Sequence, residues 1–280
     1  MRFGVLILPD ARWTVARERW QTAERLGFDH AWTYDHLTWR SLRERPWFAA
    51  MPTLTAAAVA TSRLRLGTLV ASPTFRHPVT FAKELMTLDD ISDGRVIAGI
   101  GAGGDGFDAT ALRTVAWSGR ERTERFEEFV LMLDRLLTEP TTSYEGRYYV
   151  ANEARAIPGC RQRPRLPFAI AATGPRGLRL AARYAATWIA SDSRGAGHDL
   201  VERLGEACAA EDRDPRSLAR LVLVGHVERP LASLEAFRDV AGRYADAGFS
   251  DLVVHWPRPD EPFEADMAVL ERVAADALSS

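Results

Sequence analysis

The sequence predicts an eight-fold β/α barrel, (β/α)8, and three observations carry that prediction. Short apolar runs rich in β-branched residues alternate with longer segments whose apolar positions recur every three or four residues, as in parallel strands joined by crossover helices. The alternation can be counted eight times along the chain. One barrel of typical size would use nearly all of the 280 residues, 46% of them hydrophobic, so residues 1–280 are expected to form a single domain.

The strands are expected near Arg2–Leu8, His30–Tyr34, Leu64–Ala71, Arg95–Ile100, Phe168–Ala171, Thr187–Ser191, Leu221–Val227 and Asp251–His255. Helices fit the gaps: after Thr14, after Met51, across His77–Ile91, across Arg122–Leu137, and after Pro175, His198, Ser233 and Pro262. In the fourth, Phe126, Phe129, Val130, Leu133 and Leu137 form one apolar stripe, with Glu124, Glu127, Glu128 and Asp134 mostly off it, as an outer helix requires. Leu26-Gly27 and Ala247-Gly248 end two helices with a residue that tolerates the left-handed cap conformation. Between strands 4 and 5 the rhythm breaks: Tyr144, Gly146, Tyr148 and Tyr149, then Pro158, Pro164 and Pro167, predict an insertion made of a small strand pair and a connector.

Composition narrows the function classes. Lysine plus arginine number 36 against 38 acids, a formal net charge of -2, so no basic surplus points to nucleic acid or an anionic membrane. Cys160 and Cys208 have neither a disulfide framework nor metal-ligand spacing, which fits a reduced compartment. The stretch from Met1 into Phe3-Gly4-Val5-Leu6-Ile7-Leu8 reads as a strand and not a signal peptide, and no apolar segment is long enough to span a bilayer; a cytoplasmic location is expected. No His-x-His pair and no Gly-x-Ser-x-Gly elbow is present, so neither a metal hydrolase nor a serine hydrolase is expected, and no metal site is assigned.

In such barrels the chemistry gathers at the C-terminal ends of the strands, around one concave mouth. That filter sets aside His30, His77 and His198 and retains His36, His226 and His255. Asp35-His36 lies just past the second strand with Trp39 nearby. The acid could orient the imidazole for proton transfer, or, since adjacent residues on an extended chain point opposite ways, could bond the backbone instead. Leu69-Val70-Ala71, followed by Pro73 and Thr74, would suit a ledge under a flat ring, or be an ordinary loop stop.

After the fifth strand, Thr173-Gly174-Pro175-Arg176-Gly177 leads into a helix. Its free N–H groups, with Thr173 and Arg176, could bind a phosphate or simply cap the helix. Gly101-Ala102-Gly103-Gly104-Asp105-Gly106 matches the dinucleotide glycine fingerprint. The next segment, Phe107–Gly119, lacks the apolar stripe of a Rossmann helix, so the turn reads as a mouth loop that lets backbone approach a cofactor.

With these motifs in place the chain resembles the bacterial-luciferase-like superfamily of flavin-dependent monooxygenases and deazaflavin-dependent oxidoreductases. The pieces that carry the likeness are Tyr34-Asp35-His36-Leu37, Arg65 through Val70 and on through Pro73 to Pro78, Leu88-Asp89 through Gly94-Arg95, Gly99 through Gly103, and Ala172 through Gly177. The resemblance implies a cofactor, FMN or deazaflavin F-420, with its ring against a bulge at Leu69-Val70-Ala71 that can hold a non-proline cis peptide. It implies that Gly101, Ala102 and Gly103, with Thr173, Gly174, Arg176 and Gly177, hold the cofactor's side chain and phosphate. Asp35-His36 with Trp39 is similar to a pattern of deazaflavin-using relatives, and the resemblance implies a homodimer. His36 and Asp35 are thus the candidate catalytic residues, strand-end position puts Trp39, His226 and His255 in the expected pocket for a small organic substrate, and a separate flavin reductase is an expected partner. Sugar-phosphate dehydrogenases of this group carry a glutamate directly after the glycine turn, whereas this chain has Gly104, and no lysine cluster suits a sugar phosphate. Asp105 or Asp108 could take the glutamate's place. Two other readings stay open: a non-catalytic flavin-binding barrel, and a flavin-free phosphate-binding isomerase or lyase.

Overall fold

The computed structural model describes residues 1–113 and 115–278. Thr114, in the Phe107–Gly119 loop, and Ser279 and Ser280, at the end of the expected domain, lie outside the described residues. In chain order the strands are β1 (Arg2–Leu6), β2 (His30–Thr33), β3 (Arg65–Thr68), β4 (Val96–Gly101), β5 (Thr141–Glu145), β6 (Val150–Arg155), β7 (Phe168–Ala171), β8 (Thr187–Ser191), β9 (Ala219–Leu223) and β10 (Asp251–His255). Eight of them are parallel and close into a barrel in the order β1-β2-β3-β4-β7-β8-β9-β10, with β10 returning to pair with β1 at Val5 and Val254. The remaining two, β5 and β6, form an antiparallel hairpin of their own.

Strand alternation sorts the apolar residues into two cores. Leu6, Trp32, Leu69, Ile97, Ala169, Ile189, Leu221 and Val253 fill the barrel, whereas Val5, Ala31, Leu66, Ala98, Ile170, Val222 and Val254 pack outward under the helices. Trp32 fits inside because Gly67 faces it: a Cβ there would lie 2.5 Å from the indole ring.

The helices are α1 (Trp13–Arg25), α2 (Ala50–Ala60), α3 (Pro78–Ile91), α4 (Asp108–Ala111), α5 (Gly119–Thr138), α6 (Pro175–Tyr184), α7 (His198–Ala210), α8 (Leu234–Asp246) and α9 (Met267–Ala277). In α5 the stripe Phe126, Phe129, Val130, Leu133 and Leu137 is buried as its spacing predicts. Glu128 differs from the reading that puts it off that face: it is buried and accepts the N–H groups of Tyr148 at 3.0 Å and Tyr149 at 2.8 Å, fastening the β5–β6 hairpin to α5. Gly27 and Gly248, after α1 and α8, take φ values of 90° and 91°. Among the described residues no helix is long and apolar enough to cross a membrane.

Several boundaries depart from the sequence reading; the first strand, for one, ends at Leu6 and not Leu8. The third strand stops at Thr68, and the chain continues as a bulge in which the Leu69–Val70 peptide is cis and Ala71 bridges to Ile100. The strand expected to run to Val227 ends at Leu223, because the N–H groups of Gly225, His226, Val227 and Glu228 all turn onto one oxygen of Asp192, at 2.9 to 3.2 Å. Such a ring of converging amides takes the backbone donors away from a strand ladder. The short helix α4 has no counterpart in the expected elements, since its segment has no apolar periodicity to announce it.

Candidate active site

A cavity of about 980 Å³ opens at the C-terminal mouth of the barrel. It gathers His36 and Trp39 from beyond β2, Leu69 and Val70 from the bulge, Gly101, Ala102 and Gly103 from beyond β4, and Thr173, Gly174, Arg176 and Gly177 from the start of α6. Four segments far apart in sequence thus share one wall. Ala71, Asp35, His226 and His255 do not line it.

The cavity is cut closely around its backbone. A Cβ on Gly101 would lie 2.8 Å from Val70 Cγ2, and one on Gly103, where φ is 75°, would lie 2.3 Å from Thr74 Oγ1. Side chains there would close the space between bulge and glycine turn. Thr74 also lines the cavity, and its buried hydroxyl has no hydrogen-bond partner among the described residues. Gly174 caps α6 without a side-chain bond, and a Cβ at that position would meet nothing within 4 Å. Pro175 has no N–H, and Arg176 and Gly177, which follow it in the first turn and line the cavity, stand at the positive end of the helix dipole, which suits an anion. An orphaned hydroxyl, a glycine cradle and an open helix start fit a flat-ringed cofactor with a phosphate.

Arg176 stands at this helix start, but the cation expected there for a phosphate is already neutralised: its Nε donates to Glu127 at 2.7 Å and a second nitrogen bonds the other carboxylate oxygen. The rim supplies other cations: Arg194 lines the cavity, and Arg40 lines it while lying over Trp39, 5.3 Å from the ring centre.

His36 has a carboxylate partner, but it is not Asp35. His36 Nδ1 lies 2.5 Å from Asp108 Oδ2, while Asp108 Oδ1 accepts the N–H of Leu37 at 2.8 Å. Asp35 is buried and held by Arg76, with Nε and Nη2 donating at 2.5 and 2.8 Å. This corrects the expectation that the sequence neighbour serves the imidazole; the two residues alternate along extended chain, so their side chains diverge. Because a carboxylate can only accept, the Nδ1 of His36 is the donor. Neutral His36 therefore keeps Nε2 as a bare acceptor, the form a general base needs. Sequence reasoning does not pair Asp108 with His36. Its one local signal is an acid in the first turn of α4, where the helix dipole favours it.

His226 and His255, expected in the substrate pocket, instead form an aromatic cluster beside the mouth with Tyr34, Trp39 and Phe263. His255 is 4% exposed and stacks on Phe263 with ring centres 3.4 Å apart. Its Nδ1 lies 3.0 Å from the carbonyl of Val224 and so must donate, leaving Nε2 to accept from the Tyr34 hydroxyl at 2.7 Å. The Tyr34 oxygen then accepts from His226 Nε2 at 3.0 Å. The chain ends on a backbone carbonyl, so it orients these rings and does not carry protons away.

Burial, reinforced by nearby His226, holds the His255 pKa well below its ordinary value, and burial also lowers His226. Below about pH 6.5 the unfolded chain binds a proton that buried His255 refuses, so this contribution to stability is complete above that pH and declines as pH falls beneath it. Urea unfolding from pH 7 down to 5 should show stability falling with acid, and a His255→Gln variant should flatten that slope. An unchanged slope in the variant would remove His255 from the account.

Comparison with known proteins gives a family and a fold. The model of the luciferase-like monooxygenase family matches residues 1–262. An F420-dependent glucose-6-phosphate dehydrogenase from Beutenbergia cavernae is 35% identical over 197 residues, covering 68% of this chain and 57% of that protein. An F420-dependent hydroxymycolic acid dehydrogenase from Mycobacterium tuberculosis is 30% identical over 234 residues, covering 79% and 62%. Against both, the chain spans less than two thirds of the relative's length. An F420-dependent glucose-6-phosphate dehydrogenase from Intrasporangium calvum is 30% identical, with 91% of each chain covered. Among solved structures, an F420-dependent secondary alcohol dehydrogenase in complex with an F420-acetone adduct superposes with a TM-score of 0.83 at 18% identity, covering 97% of both chains. The monooxygenase RslO1 from Streptomyces bottropensis does so with a TM-score of 0.72 at 23% identity, covering 98% of this chain and 97% of its own. At these identities the superpositions establish the barrel alone.

Proposed function

This chain belongs to the luciferase-like monooxygenase family, and from that premise we propose that it is an oxidoreductase that exchanges a hydride between a flavin-type cofactor and a small organic substrate. The observation that carries the reading is the bare Nε2 of His36, set by Asp108, at a cavity whose other wall is a glycine turn and an open helix start. Deazaflavin F-420 is the cofactor we favour over FMN, because the relatives of at least 30% identity described above are F420-dependent dehydrogenases.

In this reading the bulge at Leu69 and Val70, Gly101 to Gly103 and Thr74 would hold the ring system, and the start of α6, with the N–H groups of Arg176 and Gly177, would hold the phosphate. The cofactor supplies the site that accepts or donates the hydride. His36 Nε2 takes the proton of a substrate hydroxyl, or returns it when the reaction runs backward, and Asp108 stabilises the imidazolium between the two events. Trp39, Leu69 and Ile189 give the cavity apolar surface, which suits an alcohol or carbonyl compound. Asp35 acts through Arg76 on the framework and not on the reacting atoms. We further propose that residues 1–280 form one domain, that the protein is a cytoplasmic homodimer, and that an FMN-using, oxygen-consuming variant of this chemistry would need a separate flavin reductase.

The test is anaerobic incubation with oxidised F-420 and a panel of small alcohols, following loss of the deazaflavin absorbance. Bleaching with at least one alcohol is expected. No bleaching, with an oxygenated organic product formed when reduced FMN and oxygen are supplied, would replace hydride transfer by monooxygenation.

Asp108→Asn separates orientation from mere contact. The amide can still accept the N–H of Leu37, but its NH2 group would donate to His36 Nδ1 and move the ring proton to Nε2. By analogy with serine-protease triads, where the wrong tautomer costs about 10⁴-fold, turnover should drop by roughly 10²-fold or more, with cofactor affinity nearly unchanged. Equal loss of cofactor binding would make Asp108 a scaffold residue instead.

A further inference from the structure

The opposite mouth of the barrel holds a second cavity that the redox chemistry does not use. It measures about 530 Å³ and is lined by Arg2, His30, Arg65, Thr187 and Asp251, beneath Trp32. Alternation along β3 turns Arg65 to the same inner face as Gly67, whose missing Cβ faces Trp32.

Most polar groups here are tied to one another. Trp32 Nε1 donates to His30 Nδ1 at 2.7 Å, so His30 uses Nε2 as its donor toward Asp251 Oδ1 at 3.1 Å. Arg2 Nη2 and Ser250 Oγ donate to Asp251 Oδ2 at 2.9 and 2.6 Å. Burial pushes the Asp251 carboxyl up, but the bonds from His30, Arg2 and Ser250 outweigh it and hold the group down at about 2. Its charge is therefore committed to partners that are already in place.

Arg65 is the exception. Its side chain is part-buried, lines the cavity, and has no hydrogen bond or ion pair among the described residues. Burial lowers its pKa and the neighbouring Arg2 charge lowers it further, only partly offset by the Asp251 carboxylate. Arg220, whose Nε is buried without an acceptor, lines the same space. Two guanidinium groups, on Arg2 and Arg65, face the carboxylate of Asp251, and the Asp29 carboxylate acts on Arg2 but is not among the causes acting on Arg65. A cation withdrawn from water without a partner is costly, and an anion entering the cavity would relieve that cost.

We propose that this floor cavity is a binding site for a small anion bearing a phosphate or carboxylate group, with Arg65 as its principal counter-charge. The site lies at the N-terminal ends of the strands, across the packed barrel core from His36, and is independent of cofactor binding.

Inorganic phosphate is the probe, titrated at constant ionic strength while thermal unfolding of the full chain is followed. The wild type should show a saturable rise in Tm, as expected for a ligand that binds the folded state. Arg65→Met should retain its unliganded Tm and need at least about tenfold more phosphate for the same rise, since charge-assisted bonds dominate such sites. Arg65→Lys, which keeps the charge, should retain most of the response and serves if the methionine variant fails to fold. A phosphate response equal in wild type and Arg65→Met, or no saturable response in the wild type, overturns the proposal.

Discussion

A His36→Asn variant is expected to lose turnover by about 10²–10⁴-fold while binding its cofactor nearly as well as the wild type. In the proposed mechanism the imidazole is the proton acceptor of the mouth, and its Nδ1–H is fixed by Asp108 at 2.5 Å. Asparagine is smaller and cannot accept a proton near neutral pH. The glycine turn, the Thr74 hydroxyl and the start of α6 are untouched by the change, so cofactor affinity should hold. Measuring kcat beside the cofactor Kd checks both halves. A variant whose turnover stays within about threefold of wild type would remove general-base chemistry from His36 and leave proton transfer to another group of the mouth.

Arg76→Ala is expected to cost about 3–5 kcal/mol of folding stability, read by urea unfolding. Arg76 is 12% exposed at its side chain and Asp35 only 2%, so removal of the guanidinium would strand a carboxylate inside the protein. Arg76 Nη1 also reaches Glu84 at 2.7 Å, tying the segment after the bulge to α3. A loss below about 1 kcal/mol would mean that solvent already screens the pair, as at an ordinary surface ion pair. Double replacement, Asp35→Asn with Arg76→Gln, should recover part of the loss because no uncompensated charge remains.

The contrast between Asp35 and Asp108 marks the limit of what the sequence could reveal. Strands and outer helices were legible because their signals are local: the stripe Phe126, Phe129, Val130, Leu133 and Leu137 declares its buried face within a single helix. The gathering of Gly101 to Gly103 and Thr173 to Gly177 at one mouth was also legible, since a barrel brings the C-terminal ends of its strands together whatever their spacing in the chain.

Pairings made between loops were not. His36 finds its acid 72 positions away on α4, and Asp35 finds its cation 41 positions away. Adjacency in the chain suggests Asp35 for His36, but extended backbone turns neighbouring side chains apart. His255 sits at a strand end like the other candidates, yet Phe263 covers it through a loop that no periodicity describes. The end of β9 falls short of its expected position for a related reason, because the apolar run continues while Asp192 takes its amides. Arg176 and Arg65 make the same point about charge. The first looks available for phosphate and is paired with Glu127, whereas the second sits in a strand and has no partner among the described residues.

Whether the C-terminal mouth holds a flavin-type cofactor is read by titrating the purified protein with F-420 and, separately, with FMN while following cofactor fluorescence. Saturable binding of one cofactor per chain is expected, sharply weakened in a Gly103→Val variant, whose side chain would meet Thr74. Fluorescence that does not change with protein for either cofactor, or binding that Gly103→Val leaves intact, would contradict that reading.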